Sequence, residues 1–353
     1  LLPDHAEIAN NLGRLAFRLG QEDVAEQLFR HYLARFPNHP EGANNLACAL
    51  RSQGRFDEAV DILKSALMAD PTQAAIWNTL GTVMAELGDT ENAEIFFDEA
   101  LRLDPDFSKA RYNRGNMRLA MGFLEGALED CETALAQTTA ADERIMMRLA
   151  RSTILINLGR VGEGWDEYEA RLDPNFADVT VFHTGRPLWE PGTDLAGKSL
   201  LLIGEQGLGD EVLFANTLPD ILERLGPDGR LTLAVEKRLV PLFERSFPTA
   251  RVGHHVTGKM EGRTHRAAPF MERDMGGVDL WAPIATPLRE FRRSPDAFPD
   301  RERFLTPDPE RVAHWRAQLE TAPAGRKVGL LWKSAISNSG RHRFFSAFDQ
   351  WRP

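Results

Sequence analysis

From Ala6 to about residue 141, apolar residues recur three and four positions apart, the spacing of one face of a helix, and glycine and proline interrupt them at fixed intervals. Gly20, Gly54, Gly88 and Gly122 are 34 residues apart, as are Ala25, Ala59, Ala93 and Ala127, and Pro37, Pro71 and Pro105 close the first three units. Leu12, Leu46 and Leu80 keep the same frame, followed by Gly13, Gly81 and Gly115. This pattern predicts stacked helical hairpins: small residues where two helices approach, a glycine in the left-handed conformation ending the first helix, and a proline stopping the second. A fifth unit, "LINLGRVGEGWDEYEARLDP", is out of phase, since Gly159 lies 37 beyond Gly122; it is expected to cap the stack.

After residue 174 the period ends and the pattern changes. "SLLLI" at 199–203 reads as a buried strand, 204–210 as a glycine-broken loop, and 211–225 as a helix. A turn "GPDG", a strand at 231–235 and a helix from 237 complete a βαβ unit, which calls for a parallel sheet covered by helices. "VDLWAPI" adds a later strand, 307–320 a helix, and "VGLLW" at 328–332 the start of a second sheet. The expected organisation is a solenoid over 1–174, a linker over 175–198, an α/β domain over 199–306, and a connecting helix with the start of another α/β domain over 307–353.

Composition fits two or more ordinary globular domains in 353 residues. The net charge of -10 argues against bulk attraction to nucleic acid or an anionic membrane. No apolar run is long enough to cross a membrane, and the opening "LLPDHAEIAN" lacks the pattern of a signal peptide. Cys48 and Cys131 both fall inside helical patterns, so they read as reduced core residues of a cytoplasmic protein. His254, His255, His265, His314 and His342 show no ligand spacing and read mostly as surface residues.

Candidate chemistry concentrates in "GEQGLGD". Gly204, Gly207 and Gly209 let the chain turn sharply between strand and helix, leaving backbone amides near the positive helix end as a dock for a phosphate or other anionic group. Glu205 and Asp210 add two carboxylates; the bland account of Asp210 is a helix N-cap. The spacing departs from the dinucleotide fingerprint, although Glu236 ends the next strand where a ribose-binding acid would stand. "GTDLAGKS" at 192–199 matches a phosphate-binding loop, but its strand follows instead of preceding it. In the solenoid, two columns recur at the repeat spacing: Asn10, Asn44, Asn78 and Tyr112, and beside them Asn11, Asn45, Thr79 and Asn113. Such amides either hold the backbone of an extended peptide or bond within the solenoid.

The repeats resemble the tetratricopeptide repeat, and residues 77–105 are close to its consensus. "EQGLGDEVLFANTLPDI" is similar to the first loop of heptosyltransferase-like and O-GlcNAc-transferase-like glycosyltransferases of the GT-B fold. "RPLWEPG", "GWDEYEARL" and "VGLLWKSAISNSGRHRFF" occur in the same order in bacterial proteins that join such repeats to such a domain, flagellin-modifying transferases among them. The resemblance implies a Rossmann-like N-terminal half of a GT-B domain and the start of its second Rossmann-like half. It implies transfer of a sugar from a nucleotide-sugar co-substrate to serine or threonine of a protein acceptor, flagellin foremost, without a metal or other cofactor. Asp210 matches the proposed general base, with Glu205 as second candidate, and Lys333, Arg341 and Arg343 match the basic residues that clamp the departing diphosphate. The rival expectation is a non-catalytic adaptor whose groove binds a protein partner.

Overall fold

The computed structural model describes residues 6–322 and 325–327. These form two compact units, one of residues 6–137 together with 325–327 and the other of residues 138–322. The expected strand at 328–332 lies outside the described residues, as do Lys333, Arg341, Arg343 and His342.

The described part of the first unit is eight helices in four consecutive hairpins: α1 (Ala6–Arg18) with α2 (Glu22–Arg35), α3 (Pro40–Ser52) with α4 (Phe56–Ala69), α5 (Ala74–Leu87) with α6 (Thr90–Leu103), and α7 (Ser108–Ala120) with α8 (Leu124–Gln137). The 34-residue signature performs the roles expected of it. Gly20, Gly54, Gly88 and Gly122 have φ of 70°, 75°, 84° and 81°, a conformation that costs other residues about 1 kcal/mol or more. Ala25, Ala59, Ala93 and Ala127 are completely buried. Leu46, Leu50, Leu63, Ile76 and Leu80 fill the core between hairpins, supplying burial that helices of 13–14 residues need to persist. Gly81 has a packing role: a Cβ there would lie 2.8 Å from the Phe97 ring. Gly81→Ala is therefore expected to destabilise the repeats by about 1–3 kcal/mol, read as a lowered urea midpoint; an unchanged midpoint would refute the close-approach account.

In the second unit, α9 (Ala141–Asn157) and α10 (Val161–Tyr168) form the out-of-phase helical pair, followed by a 3-10 turn over Glu169–Leu172. Asp166 on α10 accepts from Arg293 at 2.8 Å and Arg289 at 3.3 Å, and the Arg293 carbonyl lies 2.8 Å from where a Cβ on Gly162 would be. The fifth helical pair is thus bonded to the sheet region that follows it.

That region contains β1 (Thr180–His183), β2 (Ser199–Ile203), α11 (Leu208–Phe214), α12 (Leu218–Leu225), β3 (Arg230–Val235), α13 (Val240–Ser246), β4 (Arg251–His254), β5 (Val256–Met260), β6 (Arg263–Ala267), β7 (Leu280–Pro283), α14 (Leu288–Phe291) and α15 (Pro309–Glu320). Strands β4-β3-β2-β7 form a parallel four-stranded sheet in that order. Leu200 and Leu202 face a core with Leu218, Ile221, Leu225 and Phe243, while Leu201 and Ile203 pack on Met271 and Val278. Burial on both sides explains the unbroken apolar run of "SLLLI".

Several boundaries differ from expectation. The helix expected over 211–225 starts at Leu208 and breaks at a 3-10 turn over Ala215–Thr217, where Pro219 in the first turn of α12 has no N–H to continue the ladder. The stretch read as a linker is structured: β1 pairs with β6 in a second sheet ordered β1-β6-β5, and Leu188 runs parallel beside Trp281 of β7. Trp189 in the same stretch is buried in the core.

Candidate functional site

The four-stranded sheet reverses its order between β2 and β7: from β2 the chain moves outward to β3 and β4, then returns to place β7 on the other side. Ligands of open α/β sheets bind outside the carboxyl ends of the strands at such a reversal. Two segments leave the sheet there, the glycine loop 204–207 that leads from β2 into α11, and residues 284–286 after β7. The 3-10 turn after α10 supplies a third wall.

Glu205 is buried and fully engaged. Its carboxylate accepts from Arg171 Nε at 2.6 Å and Nη2 at 3.1 Å, and from the Ala285 backbone N–H at 2.9 Å. Arg171 also donates to the Tyr168 carbonyl at 3.1 Å, to Glu169 at 2.5 Å and to Thr286 Oγ1 at 3.2 Å, and its guanidinium stacks over the Tyr168 ring. Burial alone would lower the Arg171 pKa, but Glu205 and Glu169 outweigh it and hold the guanidinium above its usual range. Glu205 therefore ties the ends of β2 and β7 to the helical pair.

Asp210 stands in the first turn of α11. Gly207, extended at φ −81° and ψ 167°, is the N-cap, which corrects the reading of Asp210 as the cap itself. The Asp210 carboxylate reaches back to accept the Gly207 N–H at 3.0 Å through Oδ2. Oδ1 has no partner among the described residues, and the residue is half-buried beside the loop. Tyr168 closes this side: its hydroxyl meets the Gln206 amide, and burial, reinforced by the charge of Glu205, pushes its pKa up to about 12.

Three residues behind the loop were not singled out from the sequence as site residues. Glu211 is completely buried, accepting the Glu236 N–H at 2.7 Å and bonding His255 Nε2 at 3.0 Å. A Cβ on Gly204 would overlap the Glu211 carboxylate, so this glycine is required by its neighbour. The His255 side chain is 7% exposed, which corrects its placement among surface histidines: the partner carboxylate lies 44 residues away in sequence and draws the ring inward. Arg266 donates from Nη2 to the Gln206 carbonyl at 3.2 Å, while Nε and Nη1 are buried without a hydrogen bond. Burial lowers its pKa, opposed by the charges of Glu211 and Glu205. Nη1 lies 4.0 Å from Glu211 Oε1, an ion pair without a hydrogen bond, so the guanidinium keeps donors under the loop that favour an anionic ligand there.

Other candidates have ordinary structural partners. Glu236 accepts from the Arg238 backbone N–H at 2.7 Å and Nε at 2.9 Å, so its carboxylate caps the following turn instead of facing a ribose. In "GTDLAGKS", the Gly192 N–H donates to Glu290 at 2.8 Å in a turn that precedes β2. Among the described residues, no group of three histidine, cysteine, aspartate or glutamate side chains could hold a metal ion, and no helix is long and apolar enough to cross a membrane. Cys131 is buried and Cys48 half-buried, and neither forms a disulfide among the described residues.

In the solenoid, the two polar columns bond to each other across repeats. Asn45 Nδ2 donates to Asn10 Oδ1 at 3.1 Å, Thr79 Oγ1 to Asn44 Oδ1 at 2.5 Å, and Asn113 Nδ2 to Asn78 Oδ1 at 2.9 Å. Each bond joins residues 35 apart, one repeat plus one position. Thr79 fills the interrupted column with a hydroxyl that makes the equivalent bond. Asn11 is exposed and Tyr112 half-buried. The columns thus fasten successive repeats, and the carbonyl oxygens of Asn45 and Asn113 remain uncommitted among the described residues. Asn113→Ala strands the buried Asn78 and should cost about 1–3 kcal/mol, measured by thermal melting; an unaltered melting curve would contradict the stitching role.

Residues 4–70 and 50–114 match tetratricopeptide-repeat families. Over all 353 residues the chain is 53% identical to protein FlbA of Caulobacter vibrioides, and it covers 59% of that protein's length. Among solved structures, it is similar to a thermophilic tetratricopeptide-repeat protein of Thermus thermophilus, TTC0263, with 21% identity, coverage of 47% of this chain and 90% of that one, and a TM-score of 0.43. It is also similar to MamA of Desulfovibrio magneticus, with 18% identity, coverage of 47% and 92%, and a TM-score of 0.37. The helical hairpins of the first unit are tetratricopeptide repeats, a module for protein–protein interaction.

Proposed function

We propose that the protein to which this chain corresponds is a protein O-glycosyltransferase of the GT-B type, in which the solenoid holds a protein acceptor, flagellin foremost, and the glycine loop carries the chemistry. The observation that supports this reading is the position of Asp210. It lies at the carboxyl end of β2, where the strand order reverses, with one carboxylate oxygen uncommitted and the buried Arg266 guanidinium behind the same loop. Asp210 takes the proton of an acceptor serine or threonine hydroxyl as its oxygen bonds to the anomeric carbon of the sugar. The bond from that carbon to the phosphate oxygen breaks, and the nucleotide leaves with the electron pair. Lys333, Arg341 and Arg343 are assigned to neutralise that charge, following the resemblance. Glu205 is not available as a base, because Arg171 and the Ala285 N–H occupy it.

The test uses the purified full-length protein, a panel of UDP-, GDP-, ADP- and CMP-sugars, and exported proteins from cells lacking the gene. The expected result is a whole-sugar increase in the intact mass of an acceptor with one donor class. Capture of an acceptor by the repeats without any mass increase would favour the adaptor reading instead.

A further inference from the structure

The opposite end of the same sheet, where its strands begin, carries a cavity. The starts of β2, β3 and β4 and the turn at 269–278 enclose about 600 Å³, within the range of small-molecule sites. The cavity begins at Ser199, whereas the glycine loop follows Ile203, so the length of a strand, about 15 Å, separates the two.

Three arginines line it: Arg230, Arg251 and Arg273. Arg251 is matched by Asp274 at 2.7 Å and also donates to the Phe270 carbonyl at 3.1 Å. Arg230 and Arg273 have no side-chain hydrogen bond or ion pair among the described residues. One lining acid against three lining arginines leaves the cavity with two positive charges in surplus, on a chain of net charge -10. A lone unpaired surface arginine means little; two in one cavity, both unmatched, select for an anion. Thr232 and Thr249 add hydroxyls, and the buried Met271 and Val278 supply apolar surface. The net charge of -10 disfavours a nucleic acid.

We infer that this cavity binds a small organic phosphate, the phosphoryl oxygens between Arg230 and Arg273 and an apolar or aromatic body against Met271 and Val278. The site is separate from the glycine loop and does not depend on the glycosyltransferase reading.

Calorimetric titration of the full 353-residue chain with inorganic pyrophosphate, and then with ADP, tests it. Both should bind, ADP more tightly than pyrophosphate. Arg230→Ala with Arg273→Ala should weaken both about tenfold or more at an unchanged melting temperature. Absence of binding heat, or equal affinity in the double variant, would overturn the site. Equal affinity for pyrophosphate and ADP would overturn the assignment of an apolar body.

Discussion

Replacing Arg171 by alanine is expected to lower the stability of the second unit by about 3–5 kcal/mol, a large share of the roughly 5–15 kcal/mol typical of a domain. The side chain is 7% exposed and makes charge-assisted bonds to Glu205 and Glu169 and a bond to Thr286. Without it, the Glu205 carboxylate stays buried with the Ala285 N–H as its remaining partner. An uncompensated buried charge is the expensive case; exchanging both partners for apolar residues is not. Arg171→Met with Glu205→Leu should therefore recover most of the loss. Urea unfolding followed by tryptophan fluorescence measures both variants. A loss below about 1 kcal/mol for Arg171→Ala would show that the ion pair does not hold the loop.

The second large effect is expected in chemistry, not stability. Asp210→Asn keeps a carbonyl oxygen that can accept the Gly207 N–H, so the first turn of α11 and the melting temperature should change little. What disappears is a carboxylate able to take a proton. General-base contributions of this type are worth about 10²–10⁴-fold, and transfer by the full-length protein should fall by that factor with the acceptor KM nearly unchanged. A change in KM alone, at constant kcat, would assign Asp210 to substrate positioning.

The solenoid was legible because its signals are local and repeated. Gly88, Ala93 and Pro105 each impose a backbone or packing requirement, and recurrence at 34 residues confirms the requirement from one unit to the next. The strand "SLLLI" was legible for a similar reason, a short apolar run closed by a glycine. The second sheet gave less signal. All five residues of β5 are exposed, so no buried face marks it although Val256 and Met260 alternate with Thr257 and Lys259, and its turn into β6 uses positive φ at Glu261 and Gly262. The site was half visible: glycines and acids marked the loop, but their partners come from far along the chain. Arg171 reaches Glu205 across 34 positions, His255 reaches Glu211 across 44, and Arg266 reaches Gln206 across 60. Pattern along one strand or helix carries no trace of such pairings. The same distance effect made Glu205 resemble a second base, when Arg171 had already claimed it.

The proposed chemistry turns on Asp210 acting on a protein acceptor, and the most direct measurement is the intact mass of exported proteins, flagellin included, from cells carrying either the native gene or its Asp210→Asn form. The prediction is a whole-sugar mass increment with the native gene that is absent with Asp210→Asn, at equal cellular levels of the two proteins. Identical acceptor masses in the two strains would contradict it and leave the tetratricopeptide repeats as a binding module without this chemistry.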